Sequence, residues 1–335
     1  MLNSLYIKNY RNLKELQIDS VDQINLITGK NNTGKSTILE AIAIYASKGD
    51  IENLLAILKR RGELLEDDPN IKNKKMLSFT SFFNDRKYDF TKDEEIIISE
   101  IANRNYVHSM KYEKDETLRI YFKNNSESKI YTIDEPAYFY KDPKVKSDNF
   151  QLVTSSEINN SIGAVLFDKI VLTERENYII NALKIIEPGT ERIAFINEEK
   201  SVKRKPVIKL SNVSDTIPLQ SMGDGINRIL TIILAAVNCE NGFLLIDEFE
   251  NGLHYTTQEQ LWKIIFKLAK DLNIQVFATT HSNDCINSFS KVLNEENSNV
   301  SGILIRLDNK NGEIKAVEVE ADILKIATEQ FIDVR

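Results

Sequence analysis

The sequence contains few of the features that mark secreted or membrane-bound proteins. Its 335 residues include only 2 cysteines, 1 tryptophan and 6 prolines. Two cysteines, Cys239 and Cys285, provide no disulfide framework and suit a reducing compartment. The longest apolar runs, such as Ile229 to Val237, fall far short of the ~20 residues that a membrane-spanning helix needs. The opening residues MLNSLYIKNYRN lack a signal-peptide pattern, so we expect a cytoplasmic protein without a membrane partner.

Excess positive charge is also missing. The formal net charge is −7, which gives no whole-chain attraction to nucleic acid. Short basic clusters occur at Lys59–Arg61, Lys72–Lys75 and Lys203–Lys205, but each has acidic residues nearby and is typical of a solvated face. DNA as a partner therefore stays open without being indicated by charge. The remaining composition, 42% hydrophobic and 28% charged, is that of an ordinary globular protein.

One segment does carry a specific chemical signal. Residues Gly29 to Ser36, GKNNTGKS, fit the pattern G-x-x-x-x-G-K-[ST] at every fixed position. An apolar run predicts a strand before this loop, and apolar residues at helical spacing predict a helix after it. Glycines allow the backbone to surround a phosphate, while loop N–H groups and the helix N-terminus supply partial positive charge. We predict that Lys35 reaches the β- and γ-phosphates of a nucleoside triphosphate and that the Ser36 hydroxyl binds Mg²⁺.

A second signal lies far downstream, where four apolar residues, Phe243 to Ile246, end in Asp247 and Glu248. On a central strand beside the strand that precedes the phosphate loop, Asp247 would lie at the carboxyl end, within reach of Mg²⁺. Glu248 would then face the attacking water, where a carboxylate can orient the water or take its proton.

Two further segments extend this prediction. His281, in Ala278–Ser282, follows the next predicted strand and could contact a γ-phosphate. Ser221 to Gly225 precedes a helix predicted from Ile226, and its serine and glycines would form a second anion-receptive helix N-terminus.

The order of these signals predicts an ATPase divided by an insertion. We expect an N-terminal ATPase lobe at residues 1–75, an inserted β-meander and helical region at 76–205, and a C-terminal ATPase lobe at 206–335. Within the insertion, strand-rich sequence runs from Leu77 to Asp148, with a polar linker at 141–149, and helices are predicted at Ile158–Leu166 and Glu174–Ile186. Near the end of the chain, Ile303–Leu307 and Ala316–Val319 predict an edge hairpin.

The sequence resembles ABC-type ATPases of the RecF, SMC and OLD (overcoming lysogenization defect) kind over nearly its whole length. The resemblance is carried by Ile7–Arg11, GKNNTGKST, SMGDGINR, LLIDEFENGLH and FATTHS. It is most similar to the compact AAA family ATPases that accompany prokaryotic defence nucleases, as in the PARIS, Septu and Gabija systems. The resemblance implies an α/β fold: a P-loop ABC-type ATPase head, whose mixed sheet is sandwiched by helices and joined by an antiparallel β subdomain, split by an inserted α+β region.

The resemblance also implies a head-to-head dimer that sandwiches two ATP molecules with Mg²⁺. It assigns Mg²⁺ binding to Ser36 and Asp247, and catalytic roles to Glu248 and to the switch histidine His281. The positions that it implies for ATP binding are Arg11, Gly29, Asn31, Asn32, Thr33, Gly34, Lys35, Ser36 and Thr37. The signature segment that would act on the other subunit's ATP consists of Ser221, Gly223 and Asp224.

The sequence departs from the wider family in ways that bear on function. Met222 and Asp224 replace a glycine and the glutamine of the usual Leu-Ser-Gly-Gly-Gln signature, so we expect weak activation across the dimer. No heptad run is long enough for SMC-type coiled-coil arms. The sequence after His281 is short, so we expect it not to contain the TOPRIM-type nuclease domain of OLD proteins.

Three functional hypotheses follow. The first is a slowly hydrolysing ATPase, a dimer or larger homo-oligomer, that controls a separate effector such as a TOPRIM-type or HNH nuclease in prokaryotic antiviral defence. The second is a RecF-like ATPase that binds DNA in repair or maintenance. The third is an ATP-bound scaffold or sensor with negligible turnover.

Overall fold

The computed structural model describes residues 1–64, 78–87, 94–102, 106–112, 118–124, 127–131, 148–154, 160–197, 204–295 and 300–335. The chain forms two units, and it passes from one to the other inside three of its strands. The first unit consists of Met1–Val21, Gly29–Asp148 and Ile305–Glu318. The second unit consists of Asp22–Thr28, Asn149–Leu304 and Val319–Arg335.

The first unit is built on an antiparallel sheet with the strand order β2-β1-β4-β5-β6-β7. These strands are β1 (Leu5–Tyr10), β2 (Leu13–Ile18), β4 (Ile96–Ser99), β5 (Tyr106–Tyr112), β6 (Leu118–Asn124) and β7 (Glu127–Tyr131). Buried residues in β1 and β2 are interspersed with exposed or half-buried ones, as expected for a sheet with one face on a core. The first unit also contains the helices α1 (Lys35–Ala46) and α2 (Ile51–Arg60) and a 3₁₀ turn at Asn84–Arg86.

The second unit is built on a parallel sheet in which β3, β13, β12 and β8 follow one another in that order. These strands are β3 (Ile24–Gly29), β13 (Gln275–Thr279), β12 (Phe243–Ile246) and β8 (Phe150–Val153). Every residue of β3, β12 and β13 is buried, because helices cover a parallel sheet on both faces. The carboxyl ends of parallel strands meet at one edge, so the residues that follow β12 and β13 lie close together.

The remaining elements of the second unit are helices and a small antiparallel sheet. The helices are α3 (Asn160–Asp168), α4 (Glu176–Ile186), α5 (Asp224–Val237), α6 (Tyr255–Asp271), α7 (Asn283–Leu293) and α8 (Ala321–Glu329). The small sheet has the order β11-β10-β9, formed by β11 (Ile217–Pro218), β10 (Arg204–Leu210) and β9 (Thr190–Asn197). A 3₁₀ turn at Leu219–Met222 connects β11 to α5.

The predicted strands at the centre of the C-terminal half are confirmed, and so is the edge hairpin, formed by β14 (Gly302–Lys310) and β15 (Glu313–Val319). Among the described strands and α-helices, four were not predicted: β5, β8, β11 and α8. Strand β8 has only four residues and follows a polar stretch, so its pairing with β12, not its own pattern, identifies it. Helix α8 buries Leu324 and Ala327 but exposes Ile323 and Ile326, so its apolar residues do not mark out one buried face in the sequence.

Several sequence predictions fall outside the described residues: the basic cluster Lys72–Lys75, Lys203 of the third cluster, the linker residues 141–147 and the helix start at Ile158. The lobe boundaries at residues 75 and 205 stay a prediction. A search of the described helices finds none that combines the length and the apolar character needed to cross a membrane.

Candidate nucleotide-binding and catalytic residues

The backbone of the loop that follows β3 requires glycine where the motif places it. Gly29 has a φ of 144°, and a Cβ built on it would lie 2.6 Å from the carbonyl oxygen of Leu307. Because the obstacle is backbone, no other residue fits here without displacing a strand. Gly34 has a φ of 90° and Asn32 a φ of 63°, so the loop turns twice more through the left-handed region.

Lys35 begins helix α1 directly after this loop. Its Nζ donates to the carbonyl oxygens of Gly29, at 2.7 Å, and Lys30, at 2.9 Å, so the side chain lies across the loop. Gly34 provides no side-chain cap for α1, and the helix N-terminus faces the loop with its backbone N–H groups. This arrangement suits a phosphate group. Its glycines have no side chain to obstruct a ligand, the lysine is positively charged, and the helix N-terminus has no side-chain cap.

The turn between β1 and β2 supports the loop through Asn12, a residue that the sequence did not single out. Its Nδ2 donates to the carbonyl oxygen of Asn32 at 3.2 Å, and its Oδ1 accepts from the hydroxyl of Thr37 at 3.0 Å. The hydroxyl of Thr33 donates within the loop, to Lys30 at 2.8 Å. Asn12 directly follows Arg11, but nothing local in the sequence indicates that it contacts a loop twenty residues on.

Arg11 is buried in an ion-pair cluster of the first unit. Its Nε lies 2.8 Å from Oε2 of Glu40 on α1, an ion pair that is not aligned as a hydrogen bond, and its Nη1 donates to Glu63 at 2.9 Å. Burial by itself would lower the pKa of Arg11, but Tyr10 and the carboxylates of Glu40 and Glu63 outweigh it and raise the pKa. The role of Arg11 in ATP binding stays a prediction, since the described contacts of its guanidinium are with two carboxylates and with the rings of Tyr10 and Phe82.

The acidic pair Asp247 and Glu248 follows β12, and the neighbouring strand β13 ends in Thr279, which contacts both residues. The Thr279 hydroxyl donates to Oδ1 of Asp247 at 2.7 Å and accepts from the backbone N–H of Glu248 at 2.9 Å. Glu248 has a φ of 50°, a left-handed conformation that is uncommon outside glycine, asparagine and aspartate. The sequence identified the two acids but not the threonine.

Arg228 binds the same segment from helix α5. Its Nη1 donates to the carbonyl oxygen of Thr154 at 2.6 Å, and its Nη2 donates to the carbonyl oxygen of Asp247 at 2.8 Å. The side chain is fully buried. Burial lowers the pKa of Arg228, and the carboxylates of Asp247, Glu248 and Glu250 oppose this shift.

The predicted switch histidine, His281, lies in a loop that Glu250 binds. The Glu250 carboxylate accepts from the hydroxyl of Thr280 and from the backbone N–H of His281, each at 2.8 Å. The His281 side chain is exposed, and Ser282 then caps helix α7 by accepting from the N–H of Cys285. Glu250 therefore connects the loop after the acidic pair with the loop that carries His281.

The predicted signature segment precedes α5 in the same unit. Ser221 is exposed, and its hydroxyl donates to the carbonyl oxygen of Pro218 at 2.7 Å. Gly223 has a φ of 107°, and a Cβ on Gly225 would lie 3.0 Å from the carbonyl oxygen of Gly252. The segment thus lies against the loop that follows the acidic pair, while the side chain of Asp224 is outside the described part of the chain.

The donor types present suit Mg²⁺. The Ser36 hydroxyl and the Asp247 carboxylate each offer an oxygen donor, and Mg²⁺ is bound in proteins through oxygen ligands, commonly one or two carboxylates together with substrate phosphates. The half-buried Asp247 already accepts a hydrogen bond from Thr279, which is the outer-shell support typical of metal-binding carboxylates.

Comparison with known proteins agrees with these features. A family described as "AAA domain, putative AbiEii toxin, Type IV TA system" matches residues 24–286. The chain is 26% identical over 340 residues to the ATP/GTP phosphatase of Helicobacter pylori. This match covers 88% of this chain and 89% of that protein. The DNA replication and repair protein RecF of Oenococcus oeni is 51% identical, but only over 45 residues, 13% of this chain and 12% of RecF.

Among solved structures, an SMC head bound to the C-winged helix domain of ScpA matches with a TM-score of 0.58. The match covers 95% of this chain and 97% of the SMC head at 13% identity, so it shows a shared fold. The family match spans well over half of the chain and contains both the phosphate loop and the acidic pair. The chain therefore belongs to this AAA-domain family and is an ABC-type ATPase of the RecF and SMC kind, with an α/β P-loop head.

Proposed function

We propose that this chain binds ATP with Mg²⁺ and hydrolyses it slowly, and that its nucleotide state controls a separate effector protein in prokaryotic antiviral defence. The observation that carries the catalytic part is the arrangement of the acidic pair. Asp247 and Glu248 follow a buried strand, both are bound by Thr279, and Glu248 has a backbone conformation that its own preference would not produce. Such an arrangement is expected where a carboxylate must be aimed at a reacting group.

The residues divide the chemistry between them. Lys35 and the backbone N–H groups of the loop bind the phosphates, while Ser36 and Asp247 bind Mg²⁺. Bound Mg²⁺ neutralises charge that develops on the phosphate oxygens. Glu248 orients the attacking water and accepts its proton, and His281 contacts the γ-phosphate.

The proposal extends to a head-to-head dimer or larger homo-oligomer. The exposed Ser221 and Gly223, at the start of α5, would contact the ATP of a second copy. The description of the matching family as a toxin of a toxin–antitoxin system supports a role in defence. An effector such as a TOPRIM-type or HNH nuclease would respond to the assembly. The atypical Met222 and Asp224 favour slow turnover, as suits a switch.

The test is ATP turnover by the parent and two variants. We expect Lys35→Ala to lose nucleotide binding, because the variant lacks the ammonium group that lies across the loop. We expect Glu248→Gln to bind ATP normally and to lose about 10²-fold or more of the turnover rate, the typical contribution of a general base.

Glu240→Gln is the matched control, since the same change is made near the start of β12, where Glu240 forms an ion pair with Arg175. Turnover should not change in this variant, because such partly exposed pairs contribute little.

Equal turnover by the parent and Glu248→Gln would remove Glu248 from its role. A parent that binds ATP without turnover would instead support the scaffold hypothesis, and salt-sensitive binding of duplex DNA in the presence of ATP would support the RecF-like one.

A further inference from the structure

We propose that Thr279 is a positioning residue whose single hydroxyl orients the metal-binding carboxylate of Asp247 and the backbone of Glu248 together. The inference rests on the proposed function, in which these two acids act on ATP and Mg²⁺. Thr279 lies in the segment Ala278–Ser282 that contains the predicted switch histidine, but no role was predicted for it, and it lies 32 positions from Asp247 in the sequence. It would set the geometry of the site without touching ATP.

The direction of both hydrogen bonds is fixed by chemistry. A backbone N–H can only donate, so the Thr279 oxygen accepts from Glu248. The hydroxyl proton is therefore available to the Asp247 carboxylate, which accepts at 2.7 Å. One hydroxyl therefore donates to the side chain of Asp247 and accepts from the backbone of the next residue, Glu248. Thr279 is 1% exposed, so water does not compete well for either contact.

The backbone of Thr279 adds a third contact. Its carbonyl oxygen accepts from the N–H of Phe249 at 2.9 Å, so the last residue of β13 binds three consecutive residues of the neighbouring segment. On the other side of this segment, Nη2 of Arg228 lies 3.4 Å from the carbonyl oxygen of Glu248. The peptide units of Glu248 are therefore bound on both sides, which explains how a glutamate with a φ of 50° is stabilised.

A purely structural role would make a different prediction. If Thr279 only satisfied buried polar groups, removing its hydroxyl would lower stability without changing how the site binds a metal ion. If it positions Asp247, the loss of the outer-shell hydrogen bond would weaken metal binding by about 10-fold to 100-fold, the usual effect of losing such a partner. Metal affinity therefore separates the two roles.

The experiment compares the parent with Thr279→Val, which keeps the shape and removes the hydroxyl, and Thr279→Ser, which restores the hydroxyl. Thr190→Val is the matched control, because Thr190 is also 1% exposed and its hydroxyl donates to the carbonyl oxygen of Glu187 at 2.7 Å. Each protein is saturated with a non-hydrolysable ATP analogue, and its affinity for Mn²⁺, a paramagnetic substitute for Mg²⁺, is measured by electron paramagnetic resonance. ATP turnover and urea unfolding are measured on the same samples.

We expect Thr279→Val to lower the Mn²⁺ affinity and the turnover rate, each by about 10-fold to 100-fold. Thr279→Ser should restore both, and Thr190→Val should change only the unfolding curve. In an Asp247→Ala background, Thr279→Val should have no further effect on Mn²⁺ affinity, since no carboxylate remains to be oriented. Thr279→Ala replaces the valine variant if the latter does not fold.

Unchanged Mn²⁺ affinity in Thr279→Val would overturn the proposal, as would a serine variant that behaves like valine. The proposed function can fail independently of this inference. If the parent binds the analogue and Mn²⁺ but does not hydrolyse ATP, the catalytic proposal is wrong, and the Mn²⁺ affinities still decide the role of Thr279. A parent that binds neither would overturn both.

Discussion

At the scale of single residues, the acidic pair depends on groups that bind its backbone as well as on its own side chains. The fully buried guanidinium of Arg228 donates to the carbonyl oxygens of Thr154 and Asp247. We predict that Arg228→Lys lowers the free energy of unfolding by about 1–3 kcal/mol, because a point-like ammonium cannot replace the planar fork and leaves a buried carbonyl unsatisfied. Urea unfolding measures this loss.

Arg175→Lys is the control for that prediction, since Arg175 forms an ion pair with Glu240 in which both side chains are partly exposed. Its unfolding curve should move by less than that of Arg228→Lys, because such pairs contribute about 0–1 kcal/mol. Equal shifts for the two variants would show that the fork geometry of Arg228 contributes nothing particular.

The sequence indicated some of these residues and not others for a physical reason. Lys35, Asp247 and Glu248 were predicted because phosphate and metal chemistry restrict the residue type, and because the adjacent strand and loop are local in sequence. Asn12 and Thr279 act through hydrogen bonds to residues 20 or more positions away. Asparagine and threonine are common in turns and at strand ends, so their types alone carry no signal.

At the scale of elements, the joint between β3 and α1 depends on the absence of a side chain at Gly29. We predict that Gly29→Ala destabilises the protein and prevents nucleotide binding, because its Cβ would lie 2.6 Å from the backbone oxygen of Leu307. The strand residue cannot move aside as a flexible side chain could. Binding of a fluorescent ATP analogue and urea unfolding test both effects.

Gly62→Ala separates the close approach from backbone strain. Gly62, just after helix α2, has a φ of 66° with nothing within 4 Å of a Cβ built on it. This variant should lose only about 1–2 kcal/mol for the left-handed conformation and should bind the analogue normally. If Gly29→Ala behaves like Gly62→Ala, the contact with Leu307 is not what requires glycine.

A helix or strand was predictable where its own residues carry a hydrophobic pattern, and was missed where it depends on a partner distant in the sequence. The strands β12 and β13 are continuous apolar runs because helices cover both faces of the parallel sheet, and the sequence identified both. By contrast, β8 is defined by its parallel register with β12, in which Phe150 pairs with Phe243. A strand of four residues has no period of its own, so its existence depends on a partner that is distant in the sequence.

At the scale of the whole molecule, the proposed switch requires that ATP changes the assembly state. We predict that Glu248→Gln in ATP and Mg²⁺ has twice the mass of one chain, or a larger multiple, in light scattering. Without nucleotide it should have a smaller mass. Retained ATP is the reason, because a variant that binds but does not hydrolyse should accumulate the sandwiched form. Lys35→Ala should show the same mass with and without ATP, since it lacks the lysine that crosses the loop.

A variant of the signature segment distinguishes a sandwich from other forms of association. Ser221 is exposed and donates only to the nearby carbonyl oxygen of Pro218 among the described contacts, so Ser221→Arg should fold and bind ATP normally. In the Glu248→Gln background it should abolish the ATP-dependent mass increase, because a large side chain would occupy the place of the second copy's γ-phosphate. If the increase persists, the copies associate through another surface. One constant mass for every variant would mean that ATP acts inside a preformed assembly, and the switch would then have to act through the effector.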